Sequence, residues 1–312
     1  MSNTAQTQPA TVVKPRSSKR VSTFPLHLML IPGVIVTLIY AYGPMFGLVM
    51  AFQKYVPTKG FLGSKWVGFK NFEYIFHMPD FYQVLWNTLI IAVLKIIFGL
   101  LVPLILALLL QEVAKNWIVR TIQTSVFLPY FLSWTILAGV IFEIFSLNGP
   151  VNSLIASMGS DPIMFMGDKN WFRGILIGSD VWKGMGYNMI LYLAAIIGIN
   201  PNLYEAAEID GAGRWKQVIH ITLPGIAPII VLLATLSLGS VLNAGFEQIL
   251  LLYNPLVYES ADVIDTLVYR MGLIDQQFSP AAAFGLFKSV VSVVLVSISY
   301  YMAYRFTNYR IF

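Results

Sequence analysis

The chain has 312 residues, 57% of them hydrophobic and only 11% charged, with a formal net charge of +5. Soluble domains carry roughly 25% charged residues, so the composition excludes a water-soluble globule and predicts a polytopic, all-α membrane protein. The basic excess is too small to suggest nucleic acid, and the lack of cysteine excludes disulfides and thiol chemistry.

Residues 1–23 are rich in Ser, Thr and Gln and carry Lys14, Arg16, Lys19 and Arg20. They predict a disordered cytoplasmic tail. The apolar run that follows reaches full spanning length and lacks a clear cleavage site, which predicts a retained span and not a cleavable signal. A span needs about 20 apolar residues. The runs at 27–52, 87–111, 122–145, 174–199, 225–252 and 284–304 predict six transmembrane helices in a single domain, 24–312. Pro32, Pro44, Pro103, Pro129 and Pro228 should kink or bound them. An even count puts both termini on one side, and the basic tail puts that side in the cytoplasm. Lys and Arg elsewhere are spread too evenly to decide orientation, with Lys54, Lys59, Lys65 and Lys70 crowding the first outer loop.

Three outer stretches are long enough to be structured: Gln53–Trp86, dense in aromatics; Asn148–Arg173, with a turn and a short amphipathic helix; and Tyr253–Pro280, with another amphipathic segment. His27, His77 and His220 lie far apart and form no metal-ligand motif. No Ser/His/Asp or paired-carboxylate arrangement supports enzymatic chemistry. Nothing matches the phosphate-binding pattern G-x4-G-K-[ST].

Polar groups at membrane depth are costly and mark function. Span three offers Tyr130, Ser133 and Trp134. Span four offers Trp182, Lys183, Tyr187, Asn188 and Tyr192, with Gly184 and Gly186 giving access to backbone. Span five offers Asn243, Phe246, Glu247 and Gln248. Aromatic faces stack on sugar rings, and amides and carboxylates bond hydroxyls. Tyr130, Trp134, Trp182, Tyr187, Asn188, Asn243, Phe246 and Glu247 are therefore the candidate substrate path, for an oligosaccharide. Structural roles compete with this: an interfacial anchor at Trp182 and Lys183, interhelical amide bonds at Asn188 and Asn243, and a Lys95 that snorkels or pairs with Glu143.

Between spans four and five lies a polar stretch, Glu205–Pro224, with the sequence EAAEIDGAGRWKQVIHITLP. Pro201 and Asn202 end the preceding span and suit a helix start. Leu203–Asp210 and Arg214–Thr222 predict two short helices joined around Gly211 and Gly213, and Pro224 opens the next span. The spacing EAA-x3-G-x9-I-x-LP resembles the EAA loop of bacterial ABC importer permeases, matching at every named position. The segments WVGFKNF, FLPYFLSW, WKGMGYNM and LNAGFEQILLLYNP add a resemblance to the oligosaccharide permeases of the maltose-transporter superfamily, more narrowly its polysaccharide-utilisation branch.

That resemblance implies the type I ABC importer permease fold in a bacterial inner membrane, with no cofactor held by this chain. It implies a second homologous permease, two cytoplasmic ATPases that bind ATP and Mg, and an extracytoplasmic solute-binding protein docked on the outer segments. It assigns ATPase coupling to Glu205, Ala206, Ala207, Asp210, Gly211, Arg214, Trp215, Leu223 and Pro224. It places sugar contacts at Gly186, Tyr187 and Asn243, with Trp182, Asn188 and Phe246 as neighbours. The large outer domain and extra spans of one maltose subunit are missing here. The competing class is an ion-coupled secondary carrier for a sugar or other polar solute, which calls for an internal repeat and titratable residues at mid-membrane.

Overall fold

A computed structural model describes residues 24–307 apart from Ala114 and Ser240. The tail expected at 1–23 lies outside the described residues. The chain divides into two compact units, Met1–Gly47 and Leu48–Phe312. The first contains helix α1, Phe24–Thr37, which has Pro32 inside it and is followed by a π-helical turn, Leu38–Tyr42. A 3-10 stretch, Gly43–Phe52, then leads into the second unit.

The second unit begins with two short antiparallel strands, β1 (Gln53–Lys54) and β2 (Lys65–Trp66), which pair Gln53 with Trp66. Helix α2 (Gly60–Gly63) lies between them, and α3 (Lys70–Phe76) follows. Asn71 donates to the carbonyls of Ala51 and Gln53, pinning α3 to the strand. Next come α4 (Phe81–Gln111), α5 (Asn116–Phe127), α6 (Trp134–Phe145) and α7 (Pro150–Ser157). Helix α8 (Lys169–Ile197) leads to α9 (Asn202–Ile209), bent from it by 71°. Helices α10 (Arg214–Gln217), α11 (Leu223–Gly239), α12 (Phe246–Leu252), α13 (Tyr258–Ala261), α14 (Ile264–Tyr269) and α15 (Phe278–Thr307) complete the described chain.

Among the described residues, five helical stretches are long and apolar enough to cross a membrane: His27–Phe52, Phe81–Gln111, Trp134–Ser157, Arg214–Gly239 and Phe278–Ile298. The bent pair α8–α9 supplies a sixth. Helices α4 and α8 form the central pair, packed along much of their length. Gly186 allows α5 to touch α8: a Cβ there would lie 2.5 Å from the Phe127 Cα and the Val126 carbonyl oxygen. In lipid, where apolar burial drives little association, such small-residue contacts hold helices together.

Two expected spans are broken. The run 122–145 is interrupted because Pro129 has no N–H to continue a helix. The chain makes a 3-10 turn, Leu128–Phe131, extends through Leu132 and Ser133, and restarts at α6, where the Ser133 hydroxyl accepts from the Ile136 N–H. The run 225–252 stops at Gly239, and residues 241–245 are non-helical before α12 starts at Phe246. Gly245 there adopts φ +92°, a left-handed conformation that favours glycine. Pro224 does not open a separate span either. From Arg214 the helix runs through a π-helical turn, Val218–Thr222, into α11, and that wider turn accommodates the proline's missing N–H.

Candidate functional site

The break at 241–245 is held by Lys95, midway along α4. Its ammonium donates to the Ala244 carbonyl at 2.7 Å and to the Gln248 amide oxygen, and pairs with Asp180 of α8 at 3.2 Å. Three acceptors satisfy its three donors. Gln248 in turn donates to the Leu176 carbonyl and the Ser179 hydroxyl, both at 2.7 Å. Lys95 therefore pairs with Asp180, not with Glu143, and the side chain is buried, not snorkelled. Asp180 lies well inside α8, so one acidic residue does sit in the interior of a span.

Beside this ion pair is a polar cavity of about 210 Å³, lined among others by Lys95, Gly99, Asp180, Asn188, Ser237, Asn243 and Gly245. Asn188 donates to the Gly99 carbonyl at 3.3 Å. The Asn243 amide oxygen accepts from Lys288 of α15 at 2.8 Å, and Lys288 also pairs with Asp265 at 2.6 Å. At about 100° per residue, Asp180, Lys183, Tyr187 and Asn188 share one face of α8. Tyr187 stacks on Tyr130, with ring centroids 4.9 Å apart and planes 9° apart. Lys183, half-buried, donates to the carbonyls of Leu132 and Tyr130, and its Nζ lies 5.2 Å from the Trp134 ring centroid.

Of the expected path residues, Asn188 and Asn243 meet in the cavity, while Tyr130, Tyr187 and Trp134 gather around Lys183. Phe246 packs on Tyr269 at 5.6 Å, and Glu247 is exposed in the first turn of α12. Trp182 points elsewhere. It lines a larger cavity of about 640 Å³ among Ile141, Phe145, Phe165 and Trp171. That cavity is almost wholly apolar, and a hydrated sugar needs convergent polar partners, so the smaller polar cavity is the candidate site. Asp180, Lys288 and Asp265 lie outside the residue set that residue type alone points to. The available signal was one acid and one lysine, each in the interior of an apolar run.

The second candidate site is the knob at the end of α8. Asn200 accepts from the Asn202 N–H at 3.0 Å, starting α9, and Glu205 falls in its first turn, where a negative charge is favoured. Gly211 ends α9 with φ +76°. The Gly211 N–H donates to the Glu208 carbonyl at 3.0 Å, and the Ala212 N–H to the Ala207 carbonyl at 2.8 Å. This is the paired hydrogen-bond pattern that terminates helices at a left-handed glycine. Gly213, in contrast, is extended and open to any residue. Tyr204 and Thr222 join the two arms hydroxyl to hydroxyl at 2.9 Å. Arg214 pairs with Glu112 at the end of α4, 2.5 Å away.

Glu205, Ala206, Asp210, Gly211, Trp215 and Pro224 are exposed, as are Leu203 and Ile209, whereas Ala207 and Leu223 are half-buried. Leu223 packs with Ile199 and Ile226 under the knob. Trp215 at 74% and Ile209 at 87% exposure present apolar area beyond what a connector needs.

The opposite end of the unit is an ordered platform. Arg270 pairs with Asp262 at 2.5 Å and covers the Tyr258 ring, and Arg173 donates to Asn87 and to the Ser260 carbonyl. Burial, together with the neighbouring Tyr258 and Asp262, pushes the Tyr253 hydroxyl up to about 12.

Residues 99–308 match the family described as binding-protein-dependent transport system inner membrane component. The chain is 44% identical to protein LplB of Bacillus subtilis, over 92% of this chain and 91% of the relative. It is 43% identical to the polygalacturonan/rhamnogalacturonan transport system permease protein YteP of the same organism, over 90% and 88%. A chain from the crystal structure of a bacterial ABC transporter involved in the import of the acidic polysaccharide alginate superposes with a TM-score of 0.85. It is 42% identical, with 91% of this chain and 96% of that chain covered.

Proposed function

The chain belongs to the family of binding-protein-dependent transport system inner membrane components, and we propose that it carries an oligosaccharide across that membrane as the permease subunit of an ATP-driven importer. It is a transport subunit and not an enzyme. A second homologous permease, expected to be a different chain, completes the pathway. Two cytoplasmic ATPases bind ATP and Mg, and an extracytoplasmic binding protein delivers the sugar. This chain itself carries no cofactor. The observation that carries the reading is the knob at 201–224: its folded, exposed apolar surface is joined directly to α8 and α11, which border the polar cavity. The importer of the acidic polysaccharide alginate and the polygalacturonan/rhamnogalacturonan permease YteP support a saccharide as the cargo.

The reading is tested in the assembled transporter. Tyr187→Ala with Asn243→Ala is expected to lower sugar uptake while assembly is retained. Each lost neutral hydrogen bond contributes about 0.5–1.5 kcal/mol, so the singles should show partial effects. Uptake at the wild-type level in the double variant would remove these residues from the path.

Both termini and the knob face the cytoplasm. The native chain lacks cysteine, so single cysteines report orientation directly. Ser17→Cys and Gln217→Cys should resist an impermeant thiol reagent in intact cells, while Ser153→Cys should react. Labelling of the Gln217→Cys variant from outside would reverse the topology.

A further inference from the structure

Lys183 is a charged side chain inside a membrane-spanning helix. The two other lysines near the cavity are each matched by a carboxylate: Lys95 by Asp180 and Lys288 by Asp265. Lys183 takes part in none of the ion pairs found among the described residues. Its partners are two carbonyls and an aromatic face. A serine or a water molecule would serve those carbonyls at the helix break without placing a full charge at membrane depth, where a charge is expensive.

What surrounds Lys183 indicates what the charge is for. Tyr187 lies one turn along the same face of α8, stacked on Tyr130, and the two residues are 43% and 41% exposed. The Tyr130 carbonyl is itself one of the Lys183 acceptors. Tyr130 also stacks on Phe127, with ring centroids 5.8 Å apart, so Tyr187 offers the freer ring face, whose negative π density attracts the C–H face of a pyranose. A lysine beside it offers a point charge to a carboxylate, and hydrogen bonds to charged groups are stronger than neutral ones.

Building on the importer reading, we propose that Lys183 with Tyr130 and Tyr187 forms a subsite for a uronate residue, with the ammonium reading the sugar carboxylate and so favouring acidic over neutral oligosaccharides. Lys183 acts as a specificity-determining residue.

The test uses the complete transporter, reconstituted with both permeases, the ATPases and the binding protein. The probes are trigalacturonate and its fully methyl-esterified, neutral counterpart, each delivered on saturated binding protein, with the matching mannuronate pair run in parallel. The same binding protein serves wild type and variants, so its own preference cancels in the ratio of variant to wild-type uptake. Lys183→Gln should lower uptake of the acidic sugar about tenfold or more, and leave the ester within about twofold, as expected for loss of one charged hydrogen bond. Lys183→Arg should retain the acidic sugar. An equal fall for both sugars would make Lys183 a strut for the helix break, and no change in either would remove it from the path; both results overturn the subsite while the importer reading stands. A wild-type transporter that imports neither sugar overturns the uronate subsite, and the importer reading falls only if no loaded binding protein stimulates its ATPase.

Discussion

Gly211→Val is expected to leave the protein in the membrane yet uncouple ATP hydrolysis from sugar uptake. Gly211 holds φ +76° at the end of α9, and a side chain in that conformation is penalised by about 1–2 kcal/mol. No atom of the described residues lies within 4 Å of the position its Cβ would take, so the Cβ itself meets no clash. The strain falls on the two hydrogen bonds from Gly211 and Ala212 that fix where α9 ends. If they break, Ile209 and Trp215 lose their fixed spacing and the knob no longer presents one rigid surface to the ATPase. Glu205→Arg places the wrong charge at the N-terminal turn of α9, which itself destabilises by only about 0.3–1 kcal/mol. Its effect should therefore appear in ATPase docking and not in expression. The measurement is ATPase activity with and without loaded binding protein, beside uptake. Full stimulation and full uptake in both variants would reduce the knob to a connector.

Lys95→Met is expected to destabilise the protein by about 3 kcal/mol, near the lower end of the range for removing one partner of a buried ion pair because Asp180 retains some contact with solvent. The change strands the Ala244 carbonyl, the Gln248 amide oxygen and the Asp180 carboxylate together. Because Lys95 fixes the 241–245 break next to Asn243, transport should fall with stability. Pairing Lys95→Met with Asp180→Leu should recover part of the loss, since no stranded charge remains. Gly245→Ala should act on the same point from the other side. Its Cβ would come within 2.6 Å of the Lys95 ammonium, on a backbone already left-handed. Thermal unfolding of the purified assembly, followed by tryptophan fluorescence, checks all three. A Lys95→Met variant with the wild-type midpoint would show that the pair carries no load.

The shape of the knob was legible because its signal is local. Spacing along one short polar segment dictates where α9 starts, and Gly211 marks where it ends. The membrane-spanning class was legible from composition alone. Hydropathy could not reveal the breaks at Leu128–Ser133 and Val241–Gly245, since an apolar run scores the same whether it is one helix or two. Pro129 and Gly245 carried that information, but their effect depends on which groups are present to satisfy the freed backbone. At Gly245 that group is Lys95, 150 residues earlier in the chain and on another helix. The Lys95–Asp180 pairing is likewise a product of how α4 packs on α8, and one sequence does not encode that register visibly. Trp182 shows the reverse failure. Its residue type suits a sugar site, but its position on α8 turns it into an apolar cavity and away from Asn188 and Asn243.

An acid–lysine pair at mid-membrane is also what an ion-coupled carrier would use, so the energy source is the point to measure. The assembly, purified with its partner permease and ATPases, is placed in proteoliposomes with loaded binding protein on one side and ATP on the ATPase side. Sugar accumulation should require ATP hydrolysis and loaded binding protein together, and should persist when ionophores collapse the proton and sodium gradients. Accumulation driven by an imposed ion gradient without ATP would contradict the account.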